Sequence, residues 1–215
     1  MQRLLLVRHG ESEFNRDGII QGFTECDLSD LGREQAARLR TRLDLERFDV
    51  VYSSTARRAS QTADIAAGHR FDIIEDPDLR EINLGVWEGR KATDLKREVP
   101  RETDLWFSTP SQLRIDGAEP LAEFRTRVTG AIDRIRARHT SDNIIIFTHG
   151  GAICTYLTSL LGLALDDLWR FKIRNCAINT IIFPVNAPRI EVLNDVSHLD
   201  GAIRYAPNTP PQYLV

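Results

Sequence analysis

The sequence predicts an α/β fold: a three-layer α/β/α sandwich with a mostly parallel central sheet and a partly helical cap insertion. Two observations carry that expectation. Leu4 to Val7, Asp49 to Tyr52 and Asn143 to Phe147 are short, nearly continuous apolar runs, the pattern of strands covered on both faces. Between them lie helical periodicities: Ala36, Leu39 and Leu43 form one stripe, and Leu121, Phe124, Val128, Ile132 and Ile135 form a better one. Alternating strands and helices place helices on both faces of a parallel sheet.

Taken in order, the Leu4 strand leads through the Ala36 helix to the Asp49 strand, whose end is followed by Ser53-Ser54-Thr55 and a helix with Arg57 and Arg58 in its first turn. Phe71 to Glu75 adds a strand. Val86 to Pro120 then breaks the alternation, mixing charges of both signs with Trp87, Trp106, Phe107 and the prolines Pro100, Pro110 and Pro120, and reads as the cap. Packing against the sheet is the expected use of Trp106 and Phe107, with pocket lining as the alternative. After the Leu121 helix and the Asn143 strand, Ile178 to Phe183 and Arg189 to Leu193 read as a hairpin around Asn186-Ala187-Pro188. Arg204 to Val215, with Pro207, Pro210 and Pro211, reads as surface loop. The 215 residues fit one domain over 1–215 with its cap at about 86–120.

Hydrophobic residues make up 42% and charged residues 27%, enough for a sizeable core and too apolar for extended disorder. A net charge of −3 gives no overall basic field, so neither nucleic acid nor an anionic membrane surface is an expected partner. No run approaches the length of a membrane span, and the apolar run Leu4 to Val7 is too short for a signal-peptide core. The scattered cysteines Cys26, Cys154 and Cys176 read as reduced, buried thiols in a cytoplasmic protein.

Two strand ends each deliver a histidine. Leu4-Leu5-Leu6-Val7-Arg8-His9-Gly10 and Ile144-Ile145-Ile146-Phe147-Thr148-His149-Gly150 both run from buried strand into a polar residue, His and Gly. In open α/β sheets, ligands sit beyond the carboxyl ends of strands. Arg57 and Arg58 stand at the start of a helix, where cations are locally unfavourable unless an anion is bound. Together the three strand ends describe an anion pocket containing two imidazoles. A lone histidine after a strand is more often a loop residue; it is the coincidence that argues for a site. His69 reads as a solvated loop residue and His139 as a cation at the end of the Leu121 helix, while His198 stays unassigned.

These residues resemble the histidine phosphatase superfamily, the phosphoglycerate mutase-like group. The resemblance rests on Val7-Arg8-His9-Gly10-Glu11-Ser12, Arg58-Ala59-Ser60-Gln61-Thr62-Ala63, Leu79-Arg80-Glu81-Ile82-Asn83-Leu84-Gly85-Val86-Trp87-Glu88-Gly89 and Thr148-His149-Gly150-Gly151, in the family's order along almost the whole chain. Asn15, Gln21-Gly22 and the Gly117-Ala118-Glu119 turn also resemble family positions, whereas Glu25-Cys26-Asp27-Leu28-Ser29 stands where relatives often have Asp followed by Pro-Leu-Thr.

The resemblance implies a phosphomonoesterase working through a phosphohistidine on His9, with a small phosphorylated metabolite as partner and neither a metal nor another cofactor. Arg8, Arg58 and His149 are then the clamp on the phosphoryl oxygens, His149 in its protonated form beside the phosphate dianion. Glu81 becomes the proton donor; its competing reading is a surface ion pair with Arg80. Asn15, Gln21, Gly22 and Gly150 are expected to bind substrate, with turn formation as the alternative for the first three. Since adjacent helical side chains diverge by about 100°, Arg57 is expected to face solvent or an acidic neighbour. Rival readings are a cofactor-dependent phosphoglycerate mutase and a non-catalytic phosphoester-binding module. Thr148-His149-Gly150-Gly151 is also similar to an esterase oxyanion loop, but the chain has no G-x-S-x-G. Oligomeric state stays open between monomer and homodimer.

Overall fold

A computed structural model of the protein describes residues 1–199, so the loop expected over 204–215 lies outside the described residues. Its strands are β1 (Gln2–Arg8), β2 (Val50–Ser54), β3 (Ile73–Asp76), β4 (Asn143–Thr148), β5 (Ile178–Phe183) and β6 (Arg189–Asp195). They form one sheet in the order β3-β2-β4-β1-β5-β6. Pairing is parallel from β3 through β1; β5 runs antiparallel to both β1 and β6, as a hairpin strand must.

The helices are α1 (Glu13–Asp17), α2 (Asp30–Leu43), α3 (Arg57–Ala66), α4 (Ala92–Glu98), α5 (Pro100–Ser108), α6 (Leu121–Arg138) and α7 (Gly150–Leu160). Successive strand residues point to opposite faces, which divides the core in two. Leu4, Leu6, Ile144 and Ile146 pack with Phe124, Val128, Ile132 and Ile135 of α6 and with Ile153 and Leu157 of α7. Leu5, Val7, Ile145 and Phe147 pack with Ala36, Leu39 and Leu43 of α2 and with Ala63 and Ala66 of α3. The result is the three-layer sandwich. Phe124, Val128, Ile132 and Ile135 of the α6 stripe are buried, which stabilises the layer by about 1.5–3 kcal/mol per residue, while Leu121 at its start is half-buried.

The cap holds α4 and α5 and is pinned at its neck, where Leu84 bridges Ala118, the Val86 N–H donates to Asp116 O and the Glu119 N–H donates to Asn83 O. Gly85 is required there: its φ is +52°, and a Cβ would lie 2.1 Å from Asp116 O. His139 caps α6, its ring against Asp142 and the Tyr52 hydroxyl, and His69 reaches Asp44. Among the described residues no helix is long and apolar enough to cross a membrane.

Candidate active site

Because β4 lies between β1 and β2 and all three are parallel, their carboxyl ends open at one edge of the sheet. Arg8 pairs with Thr148 in register, so His9 and His149 emerge side by side, ring centroids 5.2 Å apart at 61°. Both rings are buried.

The His9 Nδ1 lies 2.7 Å from its neighbour Gly10 O. A carbonyl only accepts, so Nδ1 carries the proton and Nε2 keeps the lone pair. Burial, then the charges of Arg58 and Arg8, hold this imidazole well below the ordinary histidine range, which keeps it neutral. The backbone is fixed as well: the His9 N–H donates to Thr148 O, the Gly10 N–H to Thr62 Oγ1, and Asn175 Nδ2 donates to His9 O.

Arg58 is the largest fully buried side chain, although it starts α3. Its terminal nitrogens donate to Gly22 O at 2.8 Å and Thr24 O at 3.2 Å, while its buried Nε has no partner among the described residues. The loop supplying those carbonyls is tied down by Glu88, which accepts from the N–H groups of Phe23, Thr24 and Leu84. Arg8 donates to Ile173 O at 2.8 Å and runs alongside Gly150, where a Cβ would meet Arg8 Nε at 3.4 Å.

Glu81 lies across the pocket, accepting from the Gly151 N–H at 2.8 Å and from its own neighbour Ile82 N–H at 3.1 Å. It thereby sits at the N-terminus of α7. Burial pushes its carboxyl above the ordinary range, outweighing those two N–H groups and the charges of Arg58 and Arg8. A Cβ at Gly151 would lie 2.4 Å from Glu81 Oε1, so a side chain there would displace the carboxyl. Arg8, His9, Arg58, Glu81, Gly150 and Gly151 line one cleft.

A neutral imidazole with an open Nε2, two buried guanidiniums and a protonatable carboxyl suit attack on a phosphoryl group followed by protonation of an alkoxide. A family model described as the histidine phosphatase superfamily (branch 1) matches residues 4–196. The chain belongs to the histidine phosphatase superfamily. The phosphatase is 32% identical over 200 residues to Phosphoserine phosphatase 1 of Hydrogenobacter thermophilus, covering 93% of this chain and 95% of that one. It is 34% identical over 206 residues to a probable phosphoglycerate mutase, GpmB, of Proteus mirabilis, covering 93% and 95%. Among solved structures, Bacillus stearothermophilus YhfR superposes with a TM-score of 0.88 at 31% identity, covering 93% of this chain and 100% of that one.

Of the residues singled out in the sequence, Arg8, His9, Gln21, Gly22, Arg58, Glu81 and Gly150 line the cleft of this histidine phosphatase. His149 sits behind His9, its Nε2 2.9 Å from Ser54 Oγ and its buried Nδ1 unpartnered among the described residues. Burial, followed by Arg58 and His9, holds His149 well below the ordinary range. The protonated form expected from the sequence is therefore not what the pocket's own residues impose; it requires the charge of a phosphate dianion.

Asn15 departs further, since it is not among the lining residues. Its Oδ1 accepts from the Ser12 N–H and from Asn175 Nδ2, closing the capping box of α1, and its buried Nδ2 is unpaired among the described residues. The turn-forming alternative thus describes what the side chain does here. Gln21 is held similarly, its Oε1 accepting from Ser12 Oγ. Arg57 faces Asp27, and Arg80 pairs with Glu25 rather than Glu81, which leaves Glu81 to the cleft.

Sequence reasoning missed Gly151, Ser54, Asn175, Trp169 and Ile173 as parts of the site. It also missed Arg127, which donates to the carbonyls of Asp78, Arg80 and Glu81 while forking onto Glu119 at 2.8 and 2.7 Å. This guanidinium holds the segment that carries Glu81. A lysine cannot reproduce that fork, so Arg127→Lys is expected to lower kcat on alkyl phosphates by about 10- to 100-fold through misplacement of Glu81. Steady-state kinetics with alkyl and nitrophenyl esters check this: the loss should be much smaller for the nitrophenyl ester, which needs no proton donor.

Proposed function

We propose that the protein hydrolyses phosphomonoesters of small metabolites through a phosphohistidine on His9, with Glu81 as the proton donor. The observation that carries the reading is the hydrogen bond from His9 Nδ1 to Gly10 O, which aims an unprotonated Nε2 into a cleft with Arg58 and Arg8. In the first step the Nε2 lone pair bonds to phosphorus, the ester P–O bond breaks, and the Glu81 proton passes to the departing alkoxide. In the second, the Glu81 carboxylate takes a proton from water as its oxygen attacks phosphorus, and the P–N bond breaks to release phosphate. The Arg58 Nε, which has no partner among the described residues, and the N-terminal N–H groups of α7 other than that of Gly151 are donors for the equatorial oxygens, with His149 joining once the dianion charges it.

The decisive experiment is an alkaline quench during turnover followed by peptide mass spectrometry. The peptide containing His9 should gain the mass of one phosphoryl group, lost again in acid. Excess EDTA should leave turnover within about twofold, because no step uses a metal Lewis acid. A chelator-sensitive enzyme without a labelled histidine would refute the reading. The likeness to a probable phosphoglycerate mutase defines the competing outcome. With 3-phosphoglycerate, the mutase reading requires isomerisation in place of phosphate release.

A further inference from the structure

Resting on the hydrolase reading above, we propose that Asn175 is a positioning residue for the nucleophile: its carboxamide N–H groups lock the peptide between His9 and Gly10 and so keep the His9 Nδ1–H on Gly10 O. The buried Asn175 Nδ2 lies 3.0 Å from His9 O and 3.3 Å from Asn15 Oδ1. Backbone groups of fixed polarity decide both amide orientations. His9 O only accepts, so Asn175 presents its nitrogen there; the Ser12 N–H, 3.2 Å from Asn15, only donates, so the Asn15 atom facing Asn175 is the oxygen. A peptide unit is planar, so holding its carbonyl and its N–H holds the whole unit. In the His9–Gly10 peptide the carbonyl accepts from Asn175 and from the Cys176 N–H at 3.2 Å, and the N–H donates to Thr62 Oγ1 at 3.0 Å. Gly10 itself is packed against Gly32, whose carbonyl oxygen would lie 2.6 Å from a Cβ. The Gly10 carbonyl is thereby aimed at the ring, 2.7 Å from Nδ1, and the ring's other nitrogen is aimed at phosphorus.

Asn175 is itself held in place at the expense of backbone strain. Among the described residues the non-glycine positions with positive φ are Cys176 at +54° and Asn194 at +56°, and both support this side chain. Cys176 follows it in the turn 174–177, closed by the Ala177 N–H donating to Arg174 O at 3.1 Å, and its own N–H is shared between Arg8 O at 3.0 Å and His9 O. Asn194 Oδ1 accepts from the Arg174 N–H at 2.8 Å, its N–H donates to Asn179 Oδ1 at 2.8 Å, and Asn179 Nδ2 donates to Leu6 O at 3.0 Å. A chain of asparagines thus ties the turn back to β1, the strand that delivers His9. Strain gathered on both supports of one buried amide marks a functional constraint, since a loop with no such task would relax.

The test is the rate of His9 phosphorylation, read by quenched flow in mildly alkaline buffer for wild type, Asn175→Ala and Asn175→Asp. In the alanine variant His9 O keeps the Cys176 N–H and Asn15 Oδ1 keeps the Ser12 N–H, so the fold should hold. Phosphorylation should slow by about 10- to 100-fold, the scale of a misaimed reacting group. The factor should be the same for alkyl and nitrophenyl phosphates, because the defect lies in the attack and not in proton donation. Inorganic phosphate should still bind within a few-fold of wild type. Aspartate keeps the shape of asparagine but sets an acceptor against His9 O and Asn15 Oδ1, so it should be slowed at least as much as alanine. Nitrogen-15 NMR should show His9 as the Nδ1–H tautomer in the wild type and a mixture with Nε2–H in Asn175→Ala. A packing role predicts instead that aspartate keeps the wild-type rate, and this isosteric variant carries the test should alanine fail to fold. Phosphorylation by either variant within about twofold of wild type, an unchanged tautomer, or a loss confined to alkyl esters overturns the inference and leaves the hydrolase reading intact. A wild-type enzyme whose His9 never carries phosphoryl would remove the hydrolase reading itself, and this role with it.

Discussion

His9→Ala is expected to reduce phosphate release from any monoester by at least about 10⁴-fold, the scale of losing a covalent nucleophile whose supporting groups cannot substitute for it. Among the described residues no other lining side chain is equipped to take over. The other imidazole, His149, is set behind His9 with Nε2 against Ser54, and the Cys154 thiol is held far from ionisation by burial. The substitution should leave the pocket standing, because His9 is fixed through its main chain: its N–H donates to Thr148 O and its carbonyl accepts from Asn175. Arg8 and Arg58 remain, so inorganic phosphate should still bind within a few-fold of wild type in calorimetric titration. Lost turnover with retained phosphate binding is the expected signature. A variant keeping a tenth of wild-type turnover would show that water attacks phosphorus directly and that the imidazole only positions it.

The pH dependence of the wild type follows from the same ring. Its pKa is lowered in the folded protein, chiefly by burial, so neutral imidazole persists to a pH below the ordinary histidine range. The acid limb of kcat/KM, if set by His9, should therefore lie below that range.

How much of this was legible in the sequence depended on whether the signal was local. The runs at Leu4 and Asn143 were readable because strands covered on both faces leave continuous apolar stretches, Ile178 to Phe183 because a turn follows it, and all three are strands. β2 runs on to Ser54, two residues beyond its apolar run, because Ser53 and Ser54 are buried with their hydroxyls bonded to Ser54 O and to His149. Polar residues satisfied in this way do not look like strand in a hydropathy pattern. α7 left no stripe at all: Gly151 to Thr158 are all buried, and a helix covered on every side shows no helical period. Trp169, Ile173 and Arg127 reach the site only through tertiary packing, from segments with no local mark of function. Trp106, expected to pack against the sheet, both packs and lines the cleft: it is buried against Trp169 and forms part of the cleft wall.

Glu81→Gln separates proton donation from everything else the carboxyl does. The amide keeps the shape, and its oxygen can still accept from the Gly151 N–H, so the N-terminus of α7 should hold its place. What disappears is the transferable proton. Alkyl phosphates, whose alkoxides leave poorly without one, should slow by about 10² to 10⁴. Nitrophenyl phosphate, whose phenolate leaves unaided, should lose much less in the first step. The sign of the pH effect is fixed by burial, which raises the Glu81 pKa in the folded protein. The acid form is thus retained to higher pH than in an ordinary glutamate and is lost as pH rises through the raised value. Wild-type kcat/KM for an alkyl ester should fall along that alkaline limb, and the limb should be absent in the glutamine variant. The same raised pKa means the folded state binds this proton more tightly than the unfolded chain, so Glu81 contributes stability at low pH and loses it on ionisation. Glu81→Gln should then lessen the decline in stability as pH rises through that value, measured by denaturant unfolding. Equal loss of activity on alkyl and nitrophenyl esters, with the alkaline limb unchanged, would assign the carboxyl to holding α7 and leave the proton to some other group.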